Sequence, residues 1–370
     1  MNVVIRTDSS TAIGTGHVMR CLTLADQLDK RGAHVHFVCR DLPGSIVEQI
    51  RGRGYPVGCL AHAGDAIVSS QKSDEYAQWL VVSKRVDMVQ TRRVLSELGK
   101  PCDWLIVDHY ALDKEWESGL REVAGQIMAI DDLANREHDC DLLLDQSHSI
   151  RPEVRYEGLV SKHCQLLLGA QYALLRPEFA VERDRIERRN RHVRRVQIFF
   201  GGADPSNETA RVLKAIRSLK IGLTSIDVIV GAANPRREEI KALCATSPRI
   251  RYHSNVDNMA ELMAQADLAI GAGGTTTWER CCLGLPSLII AVAENQVEIG
   301  EDADQLGVGI YLGREKQVTT SEITERITKL TKEPESIAEM SRRGMMLVDG
   351  LGATRVADCL TKTVCEGAIR

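Results

Sequence analysis

At 370 residues, with 44% hydrophobic and 26% charged side chains, the chain is long enough for two α/β domains with full cores and too apolar to be disordered. A net charge of −4 gives no global attraction to nucleic acid or to an acidic membrane surface. The eleven scattered cysteines contain no C-x-x-C pair, which argues against a structural zinc site and for reduced thiols in a cytoplasmic protein.

The opening run NVVIRTD predicts a strand, with no basic segment, apolar stretch and cleavage site of a secretory signal ahead of it. Val18, Leu22, Ala25 and Leu28 recur at helical spacing, and Gly32 stops that helix. HVHFVCR predicts a strand and GSIVEQIRGRG a helix, and residues 73–99 read as helical. DWLIVDHYAL predicts a strand ending in polar residues, DKEWESGLREVAG a helix, and QIMAIDDLA a strand. CDLLLDQS and CQLLLGAQYALL are further apolar runs. Alternating strands and helices imply a parallel, doubly wound sheet. Nowhere is there a run of about 18 apolar residues that could span a membrane.

Residues 181–195, VERDRIERRNRHVRR, carry seven arginines. A nucleic-acid patch is one reading. The interleaved acids Glu182, Asp184 and Glu187 favour a solvated connector helix. The pattern then restarts with RVQIFFGGADPSNETARVLKAI, again strand, glycine turn and helix, followed by IDVIVGAANPRREEIKALC, MAELMAQA, DLAIGAGG, TTTWERCCLGL and PSLIIAVAENQ. The fold class expected is α/β, with two Rossmann-like, doubly wound domains facing across a cleft. The expected boundaries are 1–180 for the first domain, 181–195 for the linker and 196–348 for the second, with 349–370 as a C-terminal helix that packs back on the first.

Open α/β sheets bind ligands beyond the carboxyl ends of their strands. That rule selects Arg6, Asp8, Asp108, His109, Tyr110, Asp131 and Asp132 in the first half. In the second it selects Gly201, Gly202, Asp204, Gly273, Gly274, Thr275, Glu294, Asn295 and Gln296. In GAGGTTTWE, glycines followed by threonines at a helix start offer free backbone N–H groups to a diphosphate. Glu279, one turn later, could accept both ribose hydroxyls; a capped helix with no ligand is the plainer alternative. GGADPSN offers a second such turn. No G-K-[ST] follows the glycines and G-x-G-x-x-G is missing, so neither a P-loop nor a nicotinamide site is expected.

In GTGHVMRC, His17 stands at a helix start between the flanking glycines Gly14 and Gly16 and the helix body. The positive end of the helix disfavours imidazolium, and a neutral imidazole is what a general base must be. A histidine that only caps the helix is the alternative. The run from Asp131 to Asp141 mixes hard and soft ligands without a recognisable geometry, so no metal site is expected, and its strand-end carboxylates read as sugar or positioning groups.

IRTDSSTAIGTGHVMRC, VDHYALDKEWE, IDDLANREHDCDLLLDQ, LLGAQYALLRPEF, GGADPSN, GAGGTTTWERCCLGLPSLIIAVAENQ and DGLGATRV together resemble the UDP-2,4-diacetamido-2,4,6-trideoxy-β-L-altropyranose hydrolases of pseudaminic acid biosynthesis (PseG). The resemblance is collinear over nearly the whole chain, and its second half is shared with glycosyltransferases of the GT-B fold. It implies a UDP-sugar hydrolase that needs no metal or other cofactor and has a UDP-sugar as its partner. His17 would be the base, with Arg6, Asp8, Gly14, Gly16, Arg20, Asp108, His109 and Tyr110 around the sugar and Asn295 and Gln296 reaching toward it. Glu279 would hold the ribose. The stretch from Val256 to Met259 would meet the uracil, and Gly202, Asp204, Gly273, Gly274, Thr275 and Thr276 would take the diphosphate side. An inverting UDP-sugar glycosyltransferase, a hydrolase of a related UDP-deoxy-sugar and an inactive nucleotide-sugar-binding protein are the alternatives. The oligomeric state is left open, a monomer being compatible.

Overall fold

A computed structural model describes residues 1–61, 76–147, 152–186, 192–219, 222–231 and 233–367. Parts of the predicted helix 73–99, of the arginine-rich run and of the C-terminal helix therefore lie outside the described residues. The chain divides into two units, one of residues 1–174 with residues from 352 onward, the other of residues 175–351. Among the described residues no helix is long and apolar enough to cross a membrane.

The first unit contains β1 (Asn2–Thr7), α1 (Gly16–Asp29), β2 (His34–Arg40), α2 (Val47–Gly52), β3 (Val57–Leu60), α3 (Lys84–Glu97), β4 (Cys102–Asp108), α4 (Lys114–Ser118), β5 (Ala124–Ile130), β6 (Leu142–Asp145), α5 (Pro152–Arg155) and β7 (Gln165–Leu168). Its strands form a parallel sheet in the order β3-β2-β1-β4-β5-β6-β7. Alternation along the strands feeds two cores. Val3, Ile5, Trp104 and Ile106 face the apolar side of α1, while Val4, Leu105 and Val107 pack with Trp116 and Ile127 on the other face. Burying Leu22 and Leu28 of α1 completely stabilises the unit by about 1.5–3 kcal/mol each. The helix Gly352–Gly367 docks on the same face. Arg31 bonds Asp358 at 2.7 Å, and the Trp104 indole N–H donates to the Leu360 carbonyl at 3.1 Å.

The second unit contains α6 (Pro177–Arg185), β8 (Arg195–Phe199), α7 (Glu208–Arg217), β9 (Ser225–Val230), α8 (Arg237–Cys244), β10 (Ile250–Ser254), α9 (Met259–Gln265), β11 (Leu268–Gly271), α10 (Thr276–Cys282), β12 (Ser287–Ala291), α11 (Val297–Gln305), β13 (Ile310–Arg314), α12 (Thr320–Leu330) and α13 (Pro334–Leu347). Its parallel sheet runs β10-β9-β8-β11-β12-β13. In both sheets the chain winds outward from a central strand and then restarts on its other side. The order therefore reverses between β1 and β4 in one and between β8 and β11 in the other, the position where such folds take ligands.

Three expectations change. The boundary at 180 falls inside α6, which belongs to the second unit. Arg183 of the arginine-rich run fastens α6 there, donating to the Cys282, Met345 and Val348 carbonyls at 2.7–3.0 Å, so the run is no free connector at that point. The predicted helix at 113–125 stops at Ser118. Gly119 lies so close to α3 that a Cβ there would meet the Met88 sulfur at 2.0 Å, and Ala124 already starts β5.

Candidate active site

The loop from β1 to α1 is built tightly. Ser10 Oγ accepts from the Ala12 and Ile13 N–H groups, Gly14 N–H donates to the Ser10 carbonyl at 2.8 Å, and Gly14 has φ +79°. That φ is the left-handed region, so Gly14 answers to the turn itself. A Cβ at Gly16 would meet nothing within 4 Å, so open space lies over the start of α1. The Thr15 side chain does not cap the helix, and no described residue accepts from the N–H groups of Gly16, His17 and Val18.

His17 is largely buried, and its Nδ1 lies 2.6 Å from Asp108 Oδ1, at the end of β4. An ionised carboxylate only accepts, so Nδ1 carries the hydrogen, and in the neutral ring the lone pair is on Nε2. No described residue bonds Nε2. Arg20, one turn along α1, clamps Asp108 through Nε and Nη2, both at 2.7 Å, and reaches Asp132 Oδ2 with Nη1 at 2.9 Å. Its Nη2 is also 3.1 Å from His17 Nδ1, a contact between two donors that share Asp108 Oδ1. Burial raises the Asp108 carboxyl, but the Arg20 charge and then His17 override it and hold Asp108 well below the usual carboxylate range.

Aromatic rings stand beside this dyad. Tyr110 meets the His17 ring edge-on at 4.6 Å, donates its hydroxyl to Asp132 Oδ1 and stacks on Trp79 at 5.4 Å. Trp79, in the 3-10 turn Ala77–Leu80, stands edge-on to His17 at 6.0 Å, and Tyr76 touches both Trp79 and Tyr110.

Arg6, Asp8 and His109, expected around the ligand, are buried side chains. Arg6 is completely buried, pairing with Asp8 at 2.6 Å and Asp87 at 2.7 Å, and Asp8 also accepts from Arg40 N–H at 2.7 Å. Buried charges persist only when paired in this way. For Asp87, burial works upward, but Arg6 and Arg40 bring the carboxyl down to about 2. His109 accepts from Ala111 N–H at Nδ1, while its Nε2 is 3.5 Å from Asp8 without a hydrogen bond; burial pushes it down to about 4, so it is neutral. Asp131 is likewise internal, tied to Arg136 at 2.7 Å and to the Tyr156 hydroxyl at 3.0 Å. Among the described residues no three His, Cys, Asp or Glu side chains are grouped to hold a metal ion.

In the second unit the ends of the central strands β8 and β11 lead into glycines instead of charged side chains. A Cβ at Gly271 would sit 2.2 Å from the Phe199 carbonyl oxygen and one at Gly273 would sit 2.8 Å from that of Gln296, whereas one at Gly274 would meet nothing within 4 Å. The N–H groups of Gly274, Thr275 and Thr276 donate to no described residue. Behind the turn, buried Arg280 donates to the Ala272 carbonyl at 2.8 Å, and burial lowers its guanidinium to about 10. Glu279 is raised by burial, opposed by Arg176, whose Nη2 is 3.7 Å from its carboxylate. Gln296 Oε1 accepts from Val292 N–H at 3.0 Å, Asn295 is half-buried, and Val256 and Met259 flank the start of α9. Gly202 packs against Gly231, where a Cβ would fall 2.4 Å from its Cα. Asp204 differs from expectation: with φ +44°, its carboxylate caps α7 by accepting from the Glu208 and Thr209 N–H groups at 2.9 and 3.0 Å.

The residues missed in the sequence are Tyr76, Trp79, Asp87 and Arg40. The available signal was EYAQWL, an aromatic pair inside an otherwise charged stretch.

Two parallel-sheet α/β domains, each reversing strand order at its centre, define the GT-B class of fold. Residues 196–351 match the glycosyltransferase family 28 C-terminal domain. The chain is 27% identical to the uncharacterized protein MJ1062 of Methanocaldococcus jannaschii over 82% of its own length, but spans only 58% of that relative. It is 27% identical to the UDP-2,4-diacetamido-2,4,6-trideoxy-β-L-altropyranose hydrolase of Campylobacter jejuni, over 80% of this chain and 93% of that one. It is 23% identical to the spore coat polysaccharide biosynthesis protein SpsG of Bacillus subtilis, over 97% and 98%. Among solved structures, Acinetobacter baumannii MurG superposes with a TM-score of 0.66 at 14% identity, covering 98% of this chain and 99% of that one. The spinosyn rhamnosyltransferase SpnG, complexed with thymidine diphosphate, gives 0.65 at 17%, covering 96% and 99%. The chain is thus related to nucleotide-sugar-processing enzymes.

Proposed function

We propose that the chain hydrolyses a UDP-sugar by direct attack of water on the anomeric carbon, with UDP-2,4-diacetamido-2,4,6-trideoxy-β-L-altropyranose as the substrate. The observation that carries this reading is the His17–Asp108 hydrogen bond, which turns Nδ1 toward the carboxylate and leaves Nε2, bonded by no described residue, as the proton acceptor of the neutral ring. His17 Nε2 takes a proton from water, the water oxygen bonds to C1, and the C1–O bond breaks with its electron pair leaving on UDP. Asp108 stabilises the imidazolium that forms. The product is the free sugar, with inverted configuration.

The unbonded N–H groups of Gly274, Thr275 and Thr276 support placing the diphosphate at α10, with the buried Arg280 adding positive charge behind it. In this reading Glu279 takes the ribose, the backbone from Val256 to Met259 the uracil, and the side-chain N–H groups of Asn295 and Gln296 the sugar and diphosphate. Asp204 and the buried Arg6, Asp8 and His109 act as supports. The likeness to the Campylobacter jejuni hydrolase favours this substrate over other UDP-deoxy-sugars.

The match of residues 196–351 to a glycosyltransferase domain favours one second reading, an inverting transferase. Incubation with the UDP-sugar and no acceptor separates the two. Release of UDP with an equal amount of free sugar supports hydrolysis; an unchanged UDP-sugar contradicts it.

A further inference from the structure

Five side chains close a ring around the proposed base. His17 bonds Asp108, Asp108 is clamped by Arg20, Arg20 reaches on to Asp132, Asp132 accepts from Tyr110, and the Tyr110 ring returns to the imidazole. His17 and Arg20 come from α1, and Asp108 and Tyr110 from the end of β4. Asp132 alone comes from the loop after β5. Its own position is fixed from behind, because Arg155 donates to its backbone carbonyl at 2.9 Å.

The charges in this ring matter as much as its geometry. Arg20 on its own would neutralise Asp108 and weaken its hold on an imidazolium. Because Nη1 of Arg20 is held by a second carboxylate, the ring has two anions against one cation, and the surplus negative charge favours a proton arriving on His17. Above about pH 6 the other groups facing the ring leave this balance in place. Cys21 donates its thiol to Asp108, and burial and the Asp108 charge raise it well above the ordinary thiol range, so it is neutral. His109 is neutral, and Arg6, Asp8, Asp87 and Arg40 are paired among themselves. Arg136 lies 5.9 Å over the Tyr110 ring but pairs with Asp131, and Arg155 pairs with Asp145, which burial, opposed by Arg155, pushes up to about 6.

We infer that Asp132 is a positioning residue of the reaction: it holds Arg20 and Tyr110 against the dyad and keeps the ring anionic enough for His17 to take a proton. This rests on the hydrolytic reading of His17. An asparagine at 132 can accept from Arg20 or from Tyr110 through its one oxygen, and carries no charge.

The test is the pH dependence of UDP release from the UDP-sugar by the full chain, in Asp132→Asn, Asp132→Glu and Tyr110→Phe beside the wild type, with UDP binding measured by calorimetry. In Asp132→Asn, kcat should fall about tenfold to a hundredfold with UDP affinity unchanged. The acid limb of the kcat profile should move down by about one pH unit, because a negative charge has left the neighbourhood of the base. Asp132→Glu should restore the limb. Tyr110→Phe, which also serves if the asparagine variant does not fold, should lower kcat and leave the limb in place, since it removes a hydrogen bond but no charge. A wild-type kcat in either Asp132→Asn or Tyr110→Phe, or a kcat loss in Asp132→Asn with an unmoved limb, overturns the inference. His17→Ala separates the two levels: full turnover in that variant sinks the reading of His17 itself, whereas lost turnover there with a wild-type profile in Asp132→Asn sinks only the role of Asp132.

Discussion

The two sheets share one winding plan and furnish their central strand ends in opposite ways. In the first unit the strand ends carry Asp108, Asp132 and the buried Arg6 and Asp8, with His17 and Arg20 on the adjoining helix, each polar group held by another side chain. In the second the equivalent places carry glycines, and the polar groups on offer are backbone N–H donors of the 274–276 turn. A side-chain network can tune proton affinity, because its charges are set by neighbours. A bare backbone turn cannot, but it presents fixed donors without reorganisation. In the proposed function the same topology supplies chemistry in one half and grip in the other.

The largest expected effect breaks that comparison on the first side. Replacing His17 by alanine should lower kcat about a thousandfold or more while calorimetric UDP affinity stays at the wild-type value. Equal losses of turnover and of UDP affinity would mean that the two units do not divide the work.

The second prediction breaks it on the other side. At Gly274 a side chain has free space in the empty protein, so Gly274→Val should leave the melting temperature nearly unchanged. The same side chain would stand where a diphosphate must approach, and UDP affinity should fall by about tenfold or more. Gly273→Ala should do the reverse, lowering the melting temperature first, because its Cβ would press on the Gln296 carbonyl at 2.8 Å. Calorimetry and thermal melts on both variants read the difference.

The smallest effect sharpens the account of the supports beneath the first site. His109 is held neutral by burial, down to about 4, against an ordinary value near 6.5. A folded-state value below the unfolded one means that the unfolded chain binds the extra proton. Stability is therefore unaffected well above pH 6.5 and is lost as the pH falls from about 6.5 toward 4, by about 3 kcal/mol in all. His109→Asn, whose oxygen can still accept from Ala111 N–H, should lose less stability than the wild type across that window in denaturant titrations.

Much of this was legible in the sequence. Buried central strands such as β1, β4, β8 and β11 are short apolar runs ending in polar residues or glycine, and the helices behind them repeat at 3.6. The strands that escaped notice, β3, β10 and β13, are all at sheet edges, where one side faces solvent and the apolar run is broken. At the site, the strand-end rule found His17's partner Asp108 and also Asp132, since both depend on position along one chain. It could not separate Asp8, which serves Arg6 and Arg40 in the interior, from Asp108, which serves His17. Both are acids at a strand end, and only packing tells them apart. Trp79 was hidden for the same reason: its contacts to Tyr110 and His17 join distant parts of the chain.

The central claim, that His17 activates water for attack at C1, is tested most directly by following the oxygen. When the UDP-sugar is turned over in water enriched in oxygen-18, the account predicts that the label enters the hydroxyl on C1 of the sugar, with inverted configuration in the first product formed. Label in the phosphate of released UDP, from attack at phosphorus, would contradict it.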